Sequence, residues 1–228
     1  VLNLIRSKND RQEAFGDDVC YNISRGGEMA LYSKTTHCCL ITLRDKLQQY
    51  KQVLETKAIA DHPSLTTINL DQNNIEEINR NVFVNLPSLE KLFLTSNKIT
   101  TLHDRAFVHL SNLKELEINM NNLSDNNIEV IGDNTFLPLE NLLFLSLGSN
   151  KIQMLDEKAF NGLTRLQTLY LARNKLSQID NLNVFKNLVG LTSLSLRLNE
   201  MKQLKEEVLS PILRNFYTVS SSLDIEGE

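Results

Sequence analysis

The sequence predicts an α/β-type solenoid, six stacked repeats sharing one parallel β-sheet, with a cap at each end. Three observations predict it. A leucine recurs at Leu65, Leu89, Leu113, Leu142, Leu166 and Leu191, in steps of 24, 24, 29, 24 and 25 residues, and self-similarity at such a period marks a repeat architecture. Each of these leucines opens the same frame, L-x-x-L-x-L-x-x-N-x-L with aliphatic substitutions, whose asparagines are Asn73, Asn97, Asn121, Asn150, Asn174 and Asn199. A phenylalanine closes five of the six repeats, at Phe83, Phe107, Phe136, Phe160 and Phe185, so five of the nine phenylalanines fall in one column.

Each part of the frame has a physical reason. The x-L-x-L run alternates, as a strand with one buried face does, so strands are expected at 68–70, 92–94, 116–118, 145–147, 169–171 and 194–196. After each strand the chain must turn, and the buried backbone groups of the turn need partners. An asparagine amide supplies two donors and an acceptor, so stacked asparagines can satisfy one turn above another. The later leucines and the phenylalanine fill the return side. One coil cannot bury its core alone, but a stack can.

The ends read differently. Residues 1–64 form an arm and cap: "CCLITL" (38–43) is a candidate strand, and Leu43, Leu47, Tyr50 and Leu54 follow the four-three-four spacing of a capping helix over about 43–60. Counting back from Leu65 places Ile59 in the phenylalanine column, as a degenerate coil before the first repeat. The solenoid spans 65–213, and 214–228 is the end of the C-terminal cap and a tail. Ile212, Leu213 and Phe216 close the stack, and "SSSLDIEGE" is expected as an exposed acidic tail. The third repeat carries five extra residues within 124–135; insertions of this kind leave a solenoid as loops on one flank.

Composition narrows the function. A formal net charge of -4 argues against a nucleic-acid surface. No apolar run reaches the roughly 18 residues of a membrane span. His37, His62, His103 and His109 form no catalytic constellation, and no phosphate loop, dinucleotide fingerprint, H-E-x-x-H pair or calcium loop is present. The chain is therefore expected to be no enzyme, without cofactor or metal. Its three cysteines are Cys20, Cys38 and Cys39. One bridge from Cys20 to Cys38 or Cys39 leaves an odd thiol able to link two chains; three reduced thiols are the alternative. Two glycosylation sequons occur, at Asn22 and Asn122. Asn122 is expected on the outer edge of its turn, in a column with Asn74, Lys98, Lys151, Lys175 and Glu200.

With its repeat frame and phenylalanine column, residues 65–212 resemble the leucine-rich repeat family, in the 24-residue class common among extracellular members. The resemblance implies a curved stack with the parallel sheet on the concave side, and recognition rather than catalysis. It implies a protein partner or a pathogen or matrix ligand, met by a secreted protein or ectodomain. The partial cysteine cap and short array are similar to small invertebrate immune members. An intracellular inhibitor or scaffold that masks a partner is the alternative. Many extracellular relatives close the C-terminal end with a cysteine-rich cap, which this chain lacks.

On such a sheet the residues between buried leucines face the concave side. Phe93, Phe144 and Tyr170 with Met120 are then expected as an exposed aromatic cluster. Acidic Glu115 and Glu117 lie toward one end and Arg173 and Arg197 toward the other, so a partner would be oriented by charge. These eight residues are the candidate partner-binding site, with the flank at 124–135 as its rival.

Overall fold

The structure, a computed structural model, describes residues 59–103, 106–120, 128–217 and 221–226. Before them it describes the backbone strands Tyr21–Arg25, Glu28–Tyr32, Leu40–Thr42 and Val53–Leu54. The chain is a solenoid built on one parallel sheet. Its eight strands lie side by side in chain order: Leu40–Thr42, Thr67–Asn69, Lys91–Phe93, Glu115–Glu117, Phe144–Ser146, Thr168–Tyr170, Ser193–Ser195 and Ser222–Asp224. The register is that of the repeat, with Ile68, Leu92, Leu116, Leu145, Leu169 and Leu194 in line and all fully buried.

Each strand sits one residue before its expected position, because the chain begins to turn while its hydrogen bonds continue. Leu94 N–H donates to Glu117 O at 2.8 Å, and Ser96 N–H to Asn119 O at 3.0 Å. The residue before each frame asparagine is left-handed, with φ of 57° at Gln72, 58° at Ser96, 52° at Met120, 54° at Ser149, 58° at Arg173 and 56° at Leu198. This bend swings the asparagine side chain inward.

There the asparagines do what the sequence predicts. Asn174 Nδ2 donates to Leu171 O at 2.9 Å and to Leu147 O of the preceding coil at 3.0 Å, while its Oδ1 accepts Ile152 N–H at 3.0 Å. Asn97 and Asn199 repeat the pattern. Asn150 reaches Leu147 O and Ile118 O, and its Oδ1 has no partner among the described residues. The donor that would match Ile152 in the coil before it is Leu123, which lies outside the described residues, as does Asn121. On the return side the phenylalanines stack: Phe107, Phe136, Phe160 and Phe185 follow one another with ring centroids 6.1, 6.4 and 6.0 Å apart. The return side is otherwise turns and two-residue ladders, such as Val130–Ile131 with Met154–Leu155.

Both ends differ from expectation. Of the helix expected over 43–60, Val53–Leu54 and Ile59–Ala60 are strands, paired to Glu77–Ile78 and Phe83–Val84 of the first repeat. Ile59 is buried in the core and continues the phenylalanine column, so the degenerate coil extends the stack where a helix would have ended it. The expected strand in 38–43 is present as Leu40–Thr42. At the other end the expected acidic tail is a further rung. Leu223 aligns with Leu194, and Leu196 and Leu198 N–H donate to Asp224 O and Glu226 O at 2.7 and 3.0 Å. Leu223 and Ile225 keep the two-residue alternation of the frame, which is why the segment pairs. Between the last repeat and this rung lies the helix Glu206–Leu213, the only α-helix among the described residues. It buries Val208, Leu209 and Ile212, with Leu209 in the phenylalanine column. Pro211 within it has no N–H for Glu207 O, and Ser210 Oγ donates there instead at 2.9 Å.

Candidate binding face

The open face of the sheet carries the candidate site. Phe144 and Tyr170 project from adjacent strands and meet edge to face, centroids 5.6 Å apart at 72°, a geometry that satisfies the ring quadrupoles. Tyr170 is 38% exposed and Met120, at its left-handed turn, 48%. Phe93 is half-buried and separate: in the register Glu117 lies between it and Ser146, and it makes no ring contact with the other two. The expected aromatic cluster is thus a pair with Met120 nearby along the face. Ser146 and Ser195, outward by alternation, are buried.

Beside the pair is an acidic end. Glu115 accepts from Lys91 Nζ at 2.7 Å, and that bond, with the carboxylate's charge, raises the lysine's pKa. Glu117 is half-buried; burial first, then the charges of Glu115 and Asp71, push its carboxyl above the ordinary range. Asn119 Nδ2 donates to Glu117 Oε2 at 3.3 Å, and Asn119 Oδ1 accepts from Ser146 Oγ at 2.5 Å and Gly148 N–H at 3.0 Å. Beyond Tyr170, Arg173 and Arg197 are exposed and form no ion pair among the described residues. The last rung adds Asp224 and Glu226 on the far side of Arg197, so the charge order reads acidic, aromatic, basic, acidic instead of a single gradient.

Sequence reasoning missed the flank where the chain enters each strand. A groove of about 550 Å³ there includes Ser88, Glu90, Asn112, Lys114, Asn141 and Arg165. Its polar groups serve one another and the preceding coil. Lys114 pairs with Glu90 at 2.5 Å, Asn112 donates to Pro87 O at 2.7 Å, and Arg165 donates to Asn141 Oδ1 at 2.7 Å. The signal was the polar residue before several opening leucines: Ser88, Asn112 and Asn141 donate to Pro63 O, Pro87 O and Ser111 O of the coil before. Among the described residues no group of three or more histidines, cysteines and acids could hold a metal, and no helix is long and apolar enough to cross a membrane. Cys20, Cys38, Cys39, Asn122 and residues 124–127 lie outside the described residues; Asn22 falls within the backbone strand Tyr21–Arg25.

Comparison with known proteins agrees with this geometry. A solved structure of human 5T4, titled Wnt-activated inhibitory factor 1 or trophoblast glycoprotein, is similar with a TM-score of 0.62 and 25% identity, covering 80% of this chain and 68% of that one. A TLR13–ssRNA13 complex is similar with a TM-score of 0.39 and 25% identity, covering 72% of this chain but 29% of that one. No curated protein sequence gives a significant match. The profile described as leucine rich repeat matches residues 63–123 and 122–176, half of the chain. With that match, the repeat register and the asparagine ladder, the chain belongs to the leucine-rich repeat family, whose fold serves as a protein-binding recognition module.

Proposed function

We propose that the chain is a non-enzymatic recognition module that binds a protein partner through the open face of its sheet, as a secreted protein or ectodomain. The observation that carries the reading is the Phe144–Tyr170 pair, held on a hydrogen-bonded sheet with Tyr170 partly exposed. Rigid aromatics presented this way lose little entropy on binding and often dominate interfaces. Glu115, Glu117, Arg173 and Arg197 flank the pair and would orient the partner; Phe93 and Met120 extend its apolar surface. Recovery of the partner from native material with the full chain, followed by Tyr170→Ala and Phe144→Ala, tests the assignment. Each variant is expected to weaken binding by about 1–2 kcal/mol without unfolding the stack. Full-strength binding by both, together with loss of binding on changes in residues 124–135, would place the site on the flank.

Placement outside the cell is supported by the sequons at Asn22 and Asn122, by the resemblance to the extracellular repeat class, and by a similar human protein whose title names it a glycoprotein. Mass analysis of native protein without reductant is expected to show glycan mass and a bridge from Cys20 to Cys38 or Cys39. Fully reduced, unglycosylated native protein would favour the intracellular inhibitor or scaffold. A dimer linked through the odd cysteine would appear in the same measurement.

A further inference from the structure

Across the middle of the open face the side chains drop in size. Gly148 on one rung and Ala172 on the next form a low, half-buried floor between Asn119 and Arg197, with Ser146 and Ser195 buried beside it. The serine hydroxyls are already engaged: Ser146 Oγ donates to Asn119 Oδ1 at 2.5 Å, and Ser195 Oγ to Asp224 Oδ2 at 3.3 Å. A visiting side chain therefore meets little unmet hydrogen-bonding demand there, with the Phe144–Tyr170 pair as one wall. On one side of the floor Glu115 and Glu117 lie beside Lys91, which Glu115 already holds. On the other side Arg173 and Arg197 form no ion pair among the described residues.

We propose, resting on the open-face reading above, that the partner offers an extended segment of the form basic–x–aromatic–x–acidic. Its cation would lie over Glu115 and Glu117, its aromatic or large aliphatic side chain on the small-residue floor against Tyr170, and its carboxylate on Arg173 and Arg197. The spacing fits. Neighbouring strands are about 4.8 Å apart, so the rungs of Glu117 and Arg197, three steps apart, are separated by about 14 Å, and the two residues by about 16 Å because Arg197 lies two residues beyond the position in register with Glu117; the floor is about 7 Å from the first rung. In an extended chain, residues i, i+2 and i+4 share one face at about 6.7 Å intervals. Three same-face side chains thus meet the acidic rung, the floor and the arginines in turn. The segment can run in either direction, because reversing it exchanges only which terminus meets which charge.

A displayed peptide library tests this on the full chain. Its two end positions are drawn from Lys, Ser and Glu, and its central position from Phe, Leu and Ser, all in a glycine–serine context. Opposite end charges with a Phe or Leu centre are expected to be enriched at least tenfold over ends of the same sign. The Glu115→Lys/Glu117→Lys variant should switch the selection to Glu at both ends. The Arg173→Glu/Arg197→Glu variant should switch it to Lys at both ends, so loss of folding in one variant still leaves the reciprocal test, with circular dichroism as the control. Enrichment indifferent to end charge, no enrichment, or the absence of a switch in a folded variant overturns the proposal. If the native partner requires Tyr170 and Phe144 while the library shows no charge preference, this inference fails and the open-face reading stands. If native binding ignores both aromatics, the open-face reading itself has failed.

Discussion

At Glu117 the fold places a carboxyl where burial and two like charges oppose its ionisation. Its folded pKa lies above the unfolded value near 4.5, so between the two values the native state holds more proton than the unfolded chain. Stability therefore falls as pH rises through that window, and the penalty is fully present above the folded pKa. Glu117→Gln is expected to raise the thermal midpoint at pH 7 and to leave it unchanged below about pH 4, where the native carboxyl is protonated; equal gains at both pH values would show that ionisation is not the cause. The asparagines make a second prediction. Asn174 satisfies two carbonyls and the Ile152 N–H. Asn174→Ala orphans the buried Ile152 N–H and should therefore destabilise the stack by about 1–3 kcal/mol, as measured by urea unfolding; an unchanged midpoint would show that the ladder contributes nothing there. The asparagines were legible because one residue type repeats in one column. The left-handed residues before them were not. Gln72, Ser96, Met120, Ser149, Arg173 and Leu198 are six positions with five residue types and no glycine, so no local propensity announces a positive φ. The bend is imposed by the ladder around it.

Among elements, the repeating strands and the first strand of the sheet, Leu40–Thr42, were readable, and the other terminal strands were not. The six repeat strands follow from alternation, off by one residue because pairing outlasts the extended backbone. The stretch 43–60 has helical spacing at Leu43, Leu47, Tyr50 and Leu54, yet Val53–Leu54 and Ile59–Ala60 are drawn into pairing by the exposed edges of the first repeat. Tertiary pairing overrides the period at Leu54, while Leu43, Leu47 and Tyr50 lie outside the described residues. Charge and position made 220–228 look like a tail, but Leu223 and Ile225 alternate as every other rung does, and the edge of Ser193–Ser195 supplies the partner. Removal of residues 220–228 would strip the acceptors of Leu196 and Leu198 N–H. Amide hydrogen exchange at Leu196 and Leu198 is expected to rise by orders of magnitude in that truncation, while Leu92 and Leu94 keep their protection. Unchanged exchange at Leu196 would mean that the rung does not form in solution.

For the whole molecule, a stack in which each coil touches only its neighbours makes fold and site legible to different degrees. The frame dictates which columns alternate outward, and aromatic character and charge single out the eight candidate residues within them. Their grouping was not legible: Phe93 proved separate, and Asp224 and Glu226 entered the face from a segment thought to lie outside it. The central claim is that this open face, and not the flank beside the insertion, meets the partner. Two methionines of matched exposure allow a direct comparison, Met120 on the open face at 48% and Met154 beside Val130 on the return side at 51%. Hydroxyl-radical footprinting of the full chain, alone and with its captured native partner, reads both together with Tyr170. Protection of Met120 and Tyr170 with Met154 still reactive is the predicted result; protection of Met154 with Met120 and Tyr170 unchanged would contradict it.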